Sequence, residues 1–81
     1  MNPQQIKQFI EIHIPGCTAI INTEDNVHFN ATVISELFNG KSKLQQQQMV
    51  NEAIQKFILS GEIHAISLKT FTPEIWEKQN G

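Results

Sequence analysis

Near its start the chain carries apolar residues at the spacing of an amphipathic helix. Three of them fall on one helix face, namely Ile6, Phe9 and Ile10. Asn2 can cap this helix with Pro3 in its first position, and Pro15 with Gly16 ends it. The pattern therefore predicts a first helix between these two boundaries.

The following apolar stretch changes to the two-residue period of β-strands. Residues 17–22 are rich in Ile, and residues 28–34 alternate after the turn-forming residues 23–27. One face of the second stretch carries Phe29, Ala31 and Val33. The pattern predicts a β-hairpin with one apolar face.

Helical signals return in the middle of the chain. Ser35 can cap a single helical turn that stops before Gly40, and Ser42 with Gln45 has the spacing of a capping box for a longer helix. We expect this longer helix to end at Gly61. Its predicted buried stripe consists of Val50, Ala53, Ile54, Phe57 and Ile58.

The last third of the chain predicts one more strand and one more helix. Residues 63–69 alternate as a third strand, and Thr72 followed by Pro73 signals a C-terminal helix that carries Trp76. The order is αββααβα over one domain, residues 1–81. Helices on one face of a three-stranded sheet predict an α+β two-layer sandwich.

Composition narrows the range of functions. The 81 residues include six Lys, no Arg and a single Cys, with a formal net charge of −2. This balance argues against broad affinity for nucleic acid, because each phosphate contact needs a local positive charge. One cysteine forms no internal disulfide, and the apolar runs are too short to span a bilayer. We therefore expect a cytoplasmic protein that does not enter a membrane.

Three stretches of the chain resemble the BolA-like proteins. They are His28-Phe29, the S-E-L-F-N-G-K-S of residues 35–42, and residues 63–74 with the Trp76 that follows. The resemblance covers nearly the whole chain and implies a fold similar to a class II KH domain. Within the family the chain most resembles the IbaG branch, because glutamines precede Met49 where the BolA branch itself carries an Arg-His pair.

The resemblance implies a function. BolA-like proteins pair with monothiol glutaredoxins and hold a [2Fe–2S] cluster or form a cluster-free complex, in iron–sulfur cluster trafficking and iron regulation. His64 matches the family's C-terminal ligand histidine, and the glutaredoxin cysteine and glutathione would supply further ligands. Taken alone, a histidine beside Ile63 and Ala65 is more often a packed side chain.

The loop in which the family carries a second cluster ligand departs from the family pattern in this chain. Other members place a Cys or His in the loop between the first two strands, whereas residues 23–27 here contain neither. His28 at the end of that loop is the nearest substitute, with a purely structural role as the alternative. Cys17 lies too early in the sequence to be this loop ligand, because it is at the start of the first strand. A single small thiol is also more often a buried hydrophobic residue.

The competing function is that of a KH-like nucleic-acid-binding transcriptional regulator. Lys41 and Lys43 flank the start of the long helix after Gly40, where backbone N–H groups could receive a phosphate. A KH clamp uses G-x-x-G, but its fourth position here is Lys43. The simpler interpretation is a turn glycine followed by a capped helix with solvated lysines.

An enzyme is the least favoured class. The sequence shows no paired carboxylates in apolar surroundings, no nucleophile with a base at recognisable spacing and no zinc signature.

Under the nucleic-acid-binding alternative, contacts to the edges of DNA bases would have to come from the glutamines at 45–48, and only if their helix entered a major groove.

Overall fold

A computed structural model describes residues 1–80 of the chain. Its elements are α1 (Pro3–His13), β1 (Thr18–Thr23), β2 (His28–Ile34), a 3₁₀ turn (Glu36–Phe38), α2 (Lys43–Ser60), β3 (Ala65–Phe71) and α3 (Pro73–Asn80). This confirms the α+β class and the predicted order, with the 3₁₀ turn as the second helical element. Within residues 1–80, no helix has the length and apolar character needed to cross a membrane.

Both long helices begin with a capping box, which was predicted for α2, whereas for α1 only the cap residue Asn2 was predicted. Asn2 accepts a hydrogen bond from the Gln5 N–H at 2.9 Å, and Ser42 Oγ accepts one from the Gln45 N–H at 3.1 Å. In turn, Oε1 of Gln5 and of Gln45 accepts a hydrogen bond from the backbone N–H of Asn2 and of Ser42, respectively. At the other end of α2, Gly61 takes a left-handed conformation with φ of 85°. Short-range sequence signals therefore set these helix boundaries.

The sheet has the order β1-β2-β3. The first two strands form the predicted antiparallel hairpin, whereas β3 runs parallel to β2. The parallel pairing places His28 opposite Ala65 and Ile34 opposite Phe71. Because α2 carries the chain back across the sheet, β2 and β3 begin at the same end of the sheet.

The core lies between one face of the sheet and the helices α1 and α2. The predicted face of β2 is buried, and α1 contributes Ile6 and Ile10. On α2, Val50 and Ile54 have no exposed surface, but the last position of the predicted stripe, Ile58, is 38% exposed. The prediction for Ile58 was wrong because Ile58 lies at the margin of the buried stripe, whereas Phe57 in the same turn packs against the core.

The C-terminal helix α3 does not pack on the same face of the sheet as α1 and α2. Its Trp76 packs on Phe71 with ring centroids 5.3 Å apart, and Phe71 is in register with Ile34 on the face opposite to α1 and α2. At this end of the sheet α2 already covers the other face, since Gln46 Oε1 accepts a hydrogen bond from the hydroxyl of Thr70 at 2.8 Å. The expectation that all helices share one face therefore holds for α1 and α2 only.

Candidate functional site

The parallel pairing of β2 with β3 brings the two predicted ligand histidines together. The rings of His28 and His64 have centroids 6.1 Å apart and stand nearly perpendicular, at 89°. The backbone N–H of His64 donates to the carbonyl of Val27 at 2.8 Å, which anchors the chain just before β3. Both side chains are exposed. Two residues that are 36 positions apart in sequence thus form one surface pair.

A turn stabilised by Asp25 presents His28. Asp25 Oδ1 accepts hydrogen bonds from the backbone N–H groups of His28 at 2.9 Å and Val27 at 3.0 Å. The hydroxyl of Thr23 donates to the His28 carbonyl at 2.6 Å and accepts from the Asn26 N–H at 3.0 Å. Side-chain hydrogen bonds therefore fix the backbone on both sides of the loop.

The same carboxylate also contacts the imidazole. Asp25 Oδ2 lies 2.6 Å from Nδ1 of His28. Backbone hydrogen bonds from His28 and Val27, together with the His28 ring, hold the pKa of the Asp25 carboxyl well below its usual range. The sequence pattern predicted no functional role for Asp25. The only signal was its position three residues before His28, inside a turn.

The histidine pair suits a metal centre that needs additional ligands from another molecule. A metal ion bonds imidazole nitrogen at about 2 Å, so two rings on one ion have centroids roughly 5 to 6 Å apart, close to the separation seen here. Within residues 1–80, no three His, Cys, Asp or Glu side chains are grouped closely enough to hold an ion. The described part of the chain can therefore supply a pair of ligands but not a complete coordination shell.

Cys17 lies in the core and far from the histidine pair. Its side chain is 9% exposed, with Sγ 3.9 Å from the carbonyl oxygen of Ile10, and burial raises the pKa of the thiol. It precedes Thr18, which pairs with the last residue of β2. His28 begins β2, so the length of that strand, about 20 Å, separates the two sites. This position agrees with a packing role for Cys17.

The two candidate phosphate-binding lysines have different surroundings. Lys41 is exposed beside Gly40. The ammonium of Lys43 donates to the carbonyl of Thr70 and lies 4.6 Å from the centre of the Phe71 ring. Lys43 therefore joins the start of α2 to the edge strand β3, and its charge is already partly used within the fold.

The glutamine run contributes to the fold as well. Gln46 is 6% exposed, and its amide donates to the carbonyls of Phe38 at 3.3 Å and Lys41 at 3.0 Å. Gln45 belongs to the capping box of α2. Two of the four glutamines that could read bases are thus occupied by contacts within the protein.

We expect duplex DNA to bind weakly and without sequence preference. Lys41→Ala should flatten the log–log salt dependence of binding by about one unit, for one lost phosphate contact, and adding Lys43→Ala should flatten it by less than a further unit, because the Lys43 ammonium already donates to Thr70. Lys78→Ala, which removes one exposed charge on α3, serves as a control. The measurement is titration of several unrelated duplexes at two salt concentrations. Tight, sequence-selective binding that survives both substitutions would favour the regulator function instead.

Comparison with known proteins identifies the family. The sequence model of the BolA-like protein family matches residues 11–75 of this chain. The acid stress protein IbaG of Escherichia coli is 34% identical over 68 residues, which cover 84% of this chain and 71% of IbaG. This agrees with the expected similarity to the IbaG branch.

Solved structures show the same fold. A bolA protein homologue from Coxiella burnetii superposes with a TM-score of 0.83 at 35% identity, over 95% of this chain and 97% of the homologue. Yeast Fra2 has a TM-score of 0.69 at 33% identity, over 96% of this chain and 86% of Fra2. From its sequence and its fold, this chain belongs to the BolA-like protein family.

Proposed function

We propose that this chain pairs with a monothiol glutaredoxin and shares a [2Fe–2S] cluster with it, in iron–sulfur cluster trafficking or iron regulation. The observation that carries the proposal is the exposed pair His28 and His64, with ring centroids 6.1 Å apart. Membership of the BolA-like family supports it independently.

Each histidine would offer one imidazole nitrogen to the cluster. The strand register fixes their relative position, because His28 begins β2 and His64 directly precedes β3. The glutaredoxin cysteine and glutathione would complete the ligand set. Replacement of thiolate by imidazole on an iron raises the reduction potential of a [2Fe–2S] cluster, as in Rieske centres.

Exposure of the pair agrees with a shared centre. The His28 side chain is 62% exposed, and the His64 side chain also faces solvent. A ligand pair enclosed in the core could not be reached by a second protein. A pair on the surface leaves room for ligands from the partner.

Co-expression with a monothiol glutaredoxin tests the proposal. We expect the two proteins to purify together, with visible absorption from an iron–sulfur cluster and a 1:1 stoichiometry. The glutaredoxin expressed alone provides the reference spectrum. Failure of the proteins to associate, both with and without a reconstituted cluster, would refute the pairing.

Replacement of His28 by Ala should make the cluster in this complex more labile. The apo fold should be preserved, because the imidazole is largely exposed and the core lies on the other face of the sheet. Cluster loss is followed by the decay of visible absorption under a chelator, and folding by circular dichroism of the apo protein. If the cluster in His28→Ala decays at the wild-type rate, His28 is not the second ligand, and Cys17 does not take its place because it lies in the core about 20 Å away.

A further inference from the structure

We propose that Asp25 is a positioning residue that holds the His28 imidazole in the tautomer with the proton on Nδ1, so that Nε2 is the nitrogen offered to a metal. The tautomer follows from the geometry of the loop, whereas its use in binding metal rests on the proposed function.

The two oxygens of the Asp25 carboxylate have separate partners. Oδ1 accepts hydrogen bonds from the backbone N–H groups of Val27 and His28, and these two bonds orient the carboxylate. Oδ2 is then directed at Nδ1 of His28, 2.6 Å away. An ionised carboxylate has no hydrogen to donate, so Nδ1 must carry the proton of this bond.

This arrangement prepares the ring for a metal. A neutral imidazole that donates from one nitrogen has its lone pair on the other, here Nε2. Histidines that bind metals usually donate their second ring N–H to a carboxylate or carbonyl, which fixes the tautomer and strengthens the ligand. The short turn from Asp25 to His28 builds this carboxylate–histidine pair from local sequence alone.

Asp25→Asn separates the effect on the ring from the effect on the loop. An asparagine can still accept the two backbone N–H groups with its amide oxygen, so the turn is expected to remain. Its NH₂ group would replace Oδ2 and donate to Nδ1. The proton of the neutral ring would then move to Nε2, the nitrogen that should bind the metal.

Glu24→Gln is the matched control. Glu24 is the neighbouring exposed carboxylate in the same loop, and its replacement removes the same charge. It should leave the tautomer and the cluster lifetime unchanged. A general effect of loop charge would appear equally in both variants.

The first measurement uses the apo protein and involves no cluster. Long-range ¹H–¹⁵N correlation spectra at about pH 8, above the usual titration range of imidazole, report which ring nitrogen is protonated. We expect Nδ1–H for His28 in wild type and Glu24→Gln, and Nε2–H in Asp25→Asn. An Nε2–H tautomer in wild type, or identical ring signals in wild type and Asp25→Asn, would overturn the proposal.

The second measurement is cluster loss from the glutaredoxin complex. Asp25→Asn should accelerate it by about tenfold or more, as substitutions of ligand-orienting partners do. If the tautomer changes as expected but neither Asp25→Asn nor His28→Ala alters the lifetime, His28 is not a ligand. That result would overturn the metal-binding half of the inference and leave the tautomer assignment standing.

Discussion

His64→Ala is expected to shorten the lifetime of the shared cluster by at least about tenfold and to change its visible circular dichroism. Loss of a residue that merely orients a ligand already costs about 10- to 100-fold in metal affinity, and loss of a ligand should cost no less. The remaining His28 could not replace both contacts. The measurement is the decay of visible circular dichroism in the purified glutaredoxin complex under a chelator.

The folded state of this variant should be nearly unaffected. His64 is exposed, and the hydrogen bond that anchors it to Val27 uses the backbone rather than the imidazole. We expect the free energy of unfolding to change by no more than about 0.5 kcal/mol. His13→Ala is the matched control, since His13 is an exposed histidine on α1 that faces Glu52 at 3.5 Å. An unchanged spectrum and lifetime in His64→Ala would remove His64 from the ligand set.

Local signals allowed much of the fold to be predicted. The caps at Asn2 and Ser42 and the left-handed Gly61 involve residues only a few positions apart, so the sequence contains both partners of each interaction. The alternating face of β2 likewise follows from the period of a strand. These elements depend on backbone hydrogen bonding and burial, which short patterns encode directly.

The meeting of the two histidines could not be predicted from such patterns. It depends on the register between β2 and β3, and α2 lies between these strands in sequence. A shift by one residue would turn one strand's side chains to the opposite face. Family resemblance suggested His64 and left His28 uncertain, whereas the fold places both rings on one surface.

Polar residues of α2 were the most difficult to interpret. Gln46 belongs to a run that could have read bases, yet it is buried and joins the 3₁₀ turn and β3 to α2. Lys43 similarly contacts Thr70 and Phe71. The neighbouring sequence does not show whether a polar side chain is buried, because its hydrogen-bond partners lie far away in sequence.

The proposed iron–sulfur function and the competing nucleic-acid function would use different ends of the molecule. His28 and His64 lie where β2 and β3 begin, whereas Lys41 and Lys43 lie near the end of β3, where Lys43 contacts Thr70. Substitutions at one end should therefore act independently of those at the other. Combined variants can show whether a DNA signal and a cluster signal arise from separate surfaces.

Replacement of Ile54 by alanine is expected to have the largest effect on stability, and Ile58 provides the comparison. Both are isoleucines on the same face of α2, one helical turn apart, but Ile54 is fully buried and Ile58 is 38% exposed. Ile54→Ala should lower the free energy of unfolding by about 2 to 5 kcal/mol, through lost apolar burial and the cavity left behind. Proteins of this length have total stabilities of roughly 4 to 12 kcal/mol, so this single loss is a large share of the total.

Ile58→Ala makes the same chemical change and alters helix propensity in the same direction, so it serves as the control. Because more than a third of its surface is already in water, this change should cost less, about 1.5 kcal/mol. Urea denaturation of both variants, followed by circular dichroism, measures the difference. Equal losses of stability would mean that α2 packs along its whole apolar stripe, as the sequence pattern predicted, rather than leaving Ile58 at the margin of the core.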